Sequence, residues 1–398
     1  MDQTEAAYRG AIETLRRCSG PAGLSASGHA VGHHELWARD TMITALGARF
    51  VPDETIQSAL RVNISRLKEG RSPTGAIPNF IDHTTGRSNF RAYADGGLWW
   101  IVGSVLLAPD AEGVRGVLRW CEYQDVDQSG LLSMQEASDW QDLFCTRGKG
   151  LYLNCLYVLA LRAAGRLFAE SDRDESARSL ERAQQVTERI NALFWYRGDG
   201  DLVRHISHTF STQANLEKDS LGRRRWIPPK RCLIEEQYYL PYLGFRAAGE
   251  WFDSLGNLLA ILAGVAGQDQ TCSILDLIAR HSLDKPPLRA LTPVIRPGEA
   301  DWRDYYGVTN PPYHHHNGGV WPFIGGFYVA ALVKAGRYEA ALRALGTLAD
   351  LNLRGGFNEW HHGETGKPMG VQDQAWSAGM YLFARACVGD RTVDLPLA

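Results

Sequence analysis

The sequence predicts an all-α protein built as an (α/α)6 toroid, a ring of six helical hairpins with long loops over its active-site mouth. Three observations predict it. Apolar residues recur at three- and four-residue spacing along nearly the whole chain, and no sustained run alternates with period two. The Trp- and Gly-rich segments fall between the helical stretches rather than inside them. No Pro/Ser-rich linker divides the 398 residues, so 1–398 reads as a single domain.

In order, the spacing predicts helices over 5–18, 35–50, 54–68, 95–108, 112–123, 150–169 and 174–194. It resumes over 236–248, 253–266, 271–281, 319–335, 338–351 and 371–387. The first is charged and amphipathic, and the last opens on Gln372-Asp-Gln374-Ala-Trp376. The connections 72–94, 124–149, 292–318 and 354–370 carry the unusual motifs, as loops held by a rigid scaffold commonly do. A further excursion, 197–235, combines a charge cluster with a Pro-Pro pair and reads as a surface or lid-like loop. A helical solenoid would need a fixed sequence period, which is not found.

Composition narrows the function. A formal net charge of -3 gives no electrostatic footing for nucleic-acid partners or acidic membranes. The N-terminus lacks the apolar h-region of a signal peptide, and no apolar run reads as long enough to span a bilayer. Seven scattered cysteines without a CxxC pair fit reduced thiols, so a cytoplasmic location is expected. Oligomeric state is not legible. Twelve tryptophans, many beside Asp, Glu, Arg, Asn or Gly, offer indole faces for sugar stacking with polar groups alongside, although a large helical core uses indoles too.

Five motifs could carry chemistry. Glu136-Ala-Ser-Asp139-Trp140-Gln-Asp142 places three carboxylates within seven residues. An acid packed on an indole is disfavoured in its ionised form, as a general acid requires, whereas at a helix start the same residues would serve as caps. Phe357-Asn358-Glu359-Trp360-His361-His362-Gly363 repeats the pairing of acid and indole in a turn-rich loop. Acids on separate loops over one mouth could flank a glycosidic bond, and an inverting site spaces them by roughly 6.5–9.5 Å. Trp37-Ala-Arg39-Asp40 could hold vicinal hydroxyls through charge-assisted hydrogen bonds, or be a capping Asp with its Arg. Tyr93-Ala-Asp95-Gly96-Gly97-Leu98-Trp99-Trp100 and His314-His315-His316-Asn317-Gly318-Gly319-Val320-Trp321 both set polar groups, glycine and indole at a helix start.

Metal readings are weaker. Three consecutive histidines point in different directions and make a poor chelate, so no metal ligand is assigned. Asp125-Val-Asp127-Gln-Ser129-Gly130 through Glu136 matches an EF-hand calcium loop at positions 1, 3, 5, 6 and 12. With no second hand and no clear exiting helix, an acidic Gly turn that presents the next segment is preferred to calcium, and no cofactor is expected.

Together these segments resemble the clan of (α/α)6 inverting glycosidases that includes the amylo-α-1,6-glucosidase domain of glycogen debranching enzymes and the neutral/alkaline invertases. WARDTMITALGARF and GAIPNF resemble the debranching opening, while YADGGLWWI, ADWRDYY and YHHHNGGVWP are closer to the invertases. FNEWHHGETGKPMGVQDQAWSAG is similar to the closing motif of both. The likeness spans most of 33–385, with the pieces in the expected order. It implies a general acid at Asp142, with Asp139 its competitor, and a base at Glu359. It also implies sugar contacts from Trp37, Arg39, Asp40, Asp95, Trp99, Trp140, Asn317, Trp321, Gln374 and Trp376. The expected reaction is inverting cleavage of an α-glucosidic bond in a small or terminal glucosyl substrate, sucrose-like or an α-1,6-glucosyl stub, with a small carbohydrate as the substrate partner and neither nucleic acid nor membrane.

Two departures matter. No segment of these 398 residues reads as the N-terminal domain of debranching enzymes, and Asp142-Leu-Phe-Cys-Thr-Arg147-Gly replaces the Asp-Arg-Arg-Met-Gly of the invertases. The rivals are a sugar isomerase or epimerase shuttling protons through His315, His316 or His361, a carbohydrate-binding protein without catalysis, and a phosphorylase.

Overall fold

A computed structural model describes residues 3–91, 95–199, 205, 216–218, 221–222, 224–226, 233, 235–244 and 247–396. Thirteen helices are formed among them: α1 (Gln3–Cys18), α2 (Ala38–Ala48), α3 (Glu54–Glu69), α4 (Asp95–Leu107), α5 (Ala111–Glu122), α6 (Leu151–Phe168) and α7 (Arg173–Phe194) come first. They are followed by α8 (Ser254–Leu262), α9 (Gln268–Arg280), the single turn α10 (Tyr306–Thr309), α11 (Pro322–Lys334), α12 (Tyr338–Gly355) and α13 (Ala375–Asp390).

The helices sort by composition into two rings. α2, α4, α8 and α11 are buried on nearly all sides, and α6 and α13 over most of theirs. These six close a circle, with α2 on α4, α4 on α6, α6 on α8, α8 on α11, α11 on α13 and α13 back on α2. The amphipathic helices α1, α3, α5, α7, α9 and α12 bury one stripe each and lie outside. Outer and inner helices alternate along the chain, which makes the (α/α)6 toroid. α6 is long and apolar enough to cross a membrane by length and composition, but 83% of that stretch is buried as a wall of the ring.

The two ends of the barrel differ for a local reason. Inner helices pass to outer ones through the short connections 49–53, 108–110, 169–172, 263–267 and 335–337. At three of these, Asp53, Asp110 and Asp172 accept backbone N–H groups of the next helix, so the turn and the cap are one device. Outer helices return through the long segments 19–37, 70–94, 123–150, 195–253, 281–321 and 356–374. All these segments end at the N-termini of inner helices. Trp37, Gly150, Trp321 and Gln374 precede four of those helices without a side-chain cap, leaving positive helix ends toward the loops.

One expected helix is not formed. Within 236–244 short strands form instead: Tyr238–Tyr239 pairs with Trp195–Tyr196, and Tyr242–Leu243 with Lys149–Gly150. Pro241 removes a donor and clashes with a preceding turn, so the apolar spacing around it cannot continue as a helix. The excursion expected over 197–235 lies mostly outside the described residues, apart from a ladder of Leu216–Lys218 on Arg224–Trp226. Tyr93 is outside them as well.

Candidate active site

The loop mouth gathers most of the residues singled out in the sequence. Arg39 and Asp40 enter from the first turn of α2, Asp95 from α4, Tyr152 from α6, Trp321 from the start of α11, and Gln374 and Trp376 from the start of α13.

Asp142 sits at the tip of a tight turn. Gln141 N–H donates to Asp139 Oδ1 at 2.7 Å, Thr146 Oγ1 donates to Gln141 Oε1 at 2.8 Å, and Ala137 N–H donates to Thr146 O at 3.0 Å. Asn310 Nδ2 ties the turn to the 281–321 loop by donating to Leu143 O at 2.8 Å. The Asp142 side chain keeps 24% of its surface exposed. Its neighbours Asp139 and Glu136 are placed differently. Asp139 is wholly buried, and Glu136 is held by Arg303 through two bonds of 2.8 and 2.7 Å.

Glu359 arrives from the 356–374 loop. Trp360–His361 pairs with Pro368–Met369, and Val320 and His361 exchange backbone bonds of 2.8 and 2.7 Å that fix this hairpin to the start of α11. Glu359 N–H donates to Val371 O at 2.8 Å, and Val371 N–H returns a bond of 3.3 Å to Glu359 Oε2. The sharp return passes through Gly370 at φ +70°, where an added Cβ would lie 2.8 Å from Glu359 Cβ and strike its carboxylate.

The electrostatics follow from burial around one cation. Arg39 Nη1 donates to Asp95 Oδ2 at 3.3 Å, and its Nε lies 3.5 Å from Asp40 Oδ2. Burial works against the guanidinium charge, but Asp95, Asp40 and Asp142 outweigh it and hold Arg39 protonated. Burial also raises the Glu359 carboxyl; His33 and the Val371 N–H oppose this, while Asp40 and Asp142 push it further up. The same burial acts on Asp142, yet there the His316 hydrogen bond, with Arg39 and His315, prevails and holds it at about 2. Burial lowers the His316 pKa while Asp142 raises it, and the ring, stacked on Trp321 and edge-on to Trp140, turns Nε2 toward Asp142, whose ionised carboxylate can only accept.

Several buried polar atoms around this mouth lack a hydrogen-bond partner among the described residues: Arg39 Nε, Asp40 Oδ2, Trp140 Nε1, Gln374 Nε2 and Trp376 Nε1. Unpartnered donors beside carboxylates are what a hydroxyl-rich ligand would complete. Trp376 lies flat on Phe323 with ring centres 4.2 Å apart, and Arg39 stands 5.9 Å above it. Half-buried Trp37 leans on Phe80, with ring centres 4.7 Å apart and planes tilted by 36°.

Three expected sugar contacts are corrected. Trp321 is 1% exposed, its indole N–H donating to His315 O at 3.0 Å, so it backs His316. Trp99 is fully buried, its indole N–H donating to Tyr152 Oη at 2.8 Å, so it stands behind Asp95 rather than in the mouth. Asn317 is also fully buried. Its amide joins Ile295 N–H, Ile295 O and Asn310 O, and the residue staples the 281–321 loop. His361 is buried beneath its hairpin, its Nδ1 facing Gly366 O, and burial lowers its pKa to about 4.

The EF-hand-like loop commits its carboxylates to other partners. Asp125 receives Gly130 N–H and Arg182, Asp127 receives Lys149, and Glu136 faces Arg303, so the carboxylates diverge. No group of three or more His, Cys, Asp or Glu among the described residues is arranged to hold a metal ion. Sequence reading missed His33, Tyr152 and His316 as partners of the carboxylates. The first two lie outside any acid–indole motif, and the His run suggests His316 only as a proton shuttle in the isomerase alternative.

Residues 77–390 match the family profile described as alkaline and neutral invertase. Probable alkaline/neutral invertase D of Arabidopsis thaliana is 28% identical over 337 residues, covering 75% of this chain and 60% of that protein. Cytosolic invertase 1 of Oryza sativa subsp. japonica is 27% identical over 336 residues, covering 75% and 58%. The chain thus spans about 60% of the length of these curated relatives. Among solved structures, a bacterial glucoamylase complexed with acarbose aligns with TM-score 0.64 at 14% identity, over 98% of this chain and 56% of that one. The GH63 mannosylglycerate hydrolase of Thermus thermophilus aligns with TM-score 0.65 at 16% identity, over 94% and 99%. Both share the toroid, and the profile match, which covers well over half the chain, decides the family: this chain belongs to the alkaline and neutral invertases.

Proposed function

We propose that the chain hydrolyses an α-glucosidic bond with inversion, with sucrose as the first substrate to test. The observation that carries this reading is the pairing of Asp142 and Glu359. They come from separate loops over one closed ring, near enough for the charge of Asp142 to raise the Glu359 carboxyl. Unpartnered donors of Arg39, Trp140, Gln374 and Trp376 come from the same loops and helix starts. The names of the relatives favour sucrose over an α-1,6-glucosyl stub. The same names include cytosolic, mitochondrial and chloroplastic proteins, and the cysteine usage of this chain fits a reducing compartment such as the cytosol.

In this reading Asp142 protonates the departing oxygen and Glu359 draws a proton from the attacking water on the opposite face. The open site holds the reverse distribution, with Asp142 ionised and Glu359 raised. A glycoside seated over Asp142 expels water, which disfavours its charge and raises its pKa toward that of a donor. This reading requires the proton to sit on Asp142 in the substrate complex rather than in the free protein.

The test is a panel of sucrose and α-glucosides, with NMR of the glucose anomer formed first. β-Glucose from an α-glucosidic bond is the expected product. α-Glucose as the first anomer, or interconversion of free hexoses without hydrolysis, would overturn the reading.

A further inference from the structure

We propose that Asp139 is a positioning residue that carries a proton at neutral pH, shares it with Asp95, and so joins the loop bearing Asp142 to Arg39. Charge and burial lead there. Asp95 and Asp139 are both fully buried, and Asp253, at the cap of α8, is 2% exposed. Arg39 is the cation set among them. Its Nη1 donates to Asp95 Oδ2 at 3.3 Å and reaches the main-chain oxygen of Asp139 at 3.5 Å, leaving the Asp139 carboxylate without an ion pair.

The hydrogen bonds locate the proton. Asp139 Oδ1 accepts from Gln141 N–H, and Asp95 Oδ2 accepts from Arg39 and from Tyr152 Oη at 3.2 Å. The remaining oxygens, Asp139 Oδ2 and Asp95 Oδ1, are both buried with no partner among the described residues. A proton on Asp139 relieves the repulsion that two ionised carboxyls would feel in a dry site and gives the orphan oxygen a hydrogen to share toward Asp95. The groups facing Asp139 are Asp95 and Asp253, which disfavour its charge, Arg39, which favours it, and Tyr152. Burial adds the largest push, and the carboxyl lies well above its ordinary range. Through the Gln141 bond the same side chain fixes the turn at whose tip Asp142 stands.

Asn copies the protonated form, accepting through its oxygen and donating through its amide. Asp139→Asn and Asp139→Leu are therefore compared with wild type in three measurements. Infrared difference spectra at neutral pH should show a protonated-carboxyl band in wild type that Asp139→Asn removes. A carboxyl whose folded pKa exceeds its unfolded value makes stability fall as pH rises from about 4 toward the folded value. The Tm of Asp139→Asn should therefore decline less over that range and exceed wild type at neutral pH. The third measurement rests on the glycosidase reading: kcat of Asp139→Asn should stay within roughly threefold of wild type, while Asp139→Leu should lose about tenfold or more by misplacing Asp142. An unchanged band and Tm slope, or a folded Asp139→Asn that loses about a hundredfold in kcat, would overturn the proposal. If no glycoside is turned over, the glycosidase reading fails alone, because the spectroscopic and thermal measurements need no substrate.

Discussion

His316 Nε2 stands 3.5 Å from Asp142 Oδ1, a contact at the outer limit of a hydrogen bond, made by a ring held in place by Trp321 and Trp140. This donor keeps Asp142 ionised against its own burial. Removing it in His316→Ala takes away the stabilisation of the charged form, so the Asp142 pKa rises from about 2 through the ordinary value of 3.8. The acidic limb of kcat/KM should move to higher pH. In His316→Gln, whose amide N–H reaches a similar position, the limb should stay near wild type. A limb that does not move in His316→Ala would show that another group governs Asp142.

Gly370 controls Glu359 from outside the mouth. Its φ of +70° and its place against the Glu359 side chain leave no room for a methyl group. Gly370→Ala should cost about 1–2 kcal/mol through the left-handed backbone. It should also displace the carboxylate, lowering kcat by about 10- to 100-fold, with KM much less affected. Steady-state kinetics and thermal unfolding test both parts. A variant of normal kcat would mean that Glu359 does not need its observed position.

The ring was legible because its cause is local. Apolar spacing distinguishes helices buried all round, such as Leu151–Phe168, from one-stripe helices such as Arg173–Phe194, and those two classes become the inner and outer rings. The error at 236–248 is local as well, an apolar spacing credited across Pro241. Site roles were less legible. Trp99 and Trp376 stand in similar motifs, but one is turned behind Asp95 and the other lies near Arg39 with its indole N–H unpartnered. Glu136, Asp139 and Asp142 are equivalent as a string. They separate only because Arg303, from a loop far along the chain, takes the first and burial takes the second.

That separation can be measured. Glu136 meets Arg303 through two bonds, with side chains 33% and 25% exposed. A bidentate pair in that setting couples by about 1 kcal/mol after solvent screening. A double-mutant cycle of Glu136→Gln and Arg303→Met, followed by denaturant unfolding, should return that coupling. Glu136→Gln alone should retain most of its kcat, because the two loops remain joined by Asn310 and Leu143. A loss of about a thousandfold in Glu136→Gln would instead make Glu136 the acid and displace Asp142.

The two carboxylates should fail in different ways. Asp142→Asn removes the donor to the leaving oxygen, and kcat on sucrose should fall by about 10²–10⁴. The loss should shrink for a glucoside whose leaving group is a weak base and departs with little protonation. Glu359→Gln removes the group that takes the proton from water, so its loss should persist with that same activated substrate. Azide needs no deprotonation, and it should restore turnover in Glu359→Gln by attacking the anomeric carbon directly, giving a β-glucosyl azide from an α-glucoside. Asp142→Asn has an intact base and should gain nothing from azide. If azide rescues Asp142→Asn and leaves Glu359→Gln inactive, the roles are exchanged, in agreement with the proton distribution of the open site, where Glu359 is the carboxyl raised by burial and Asp142 the one held near 2.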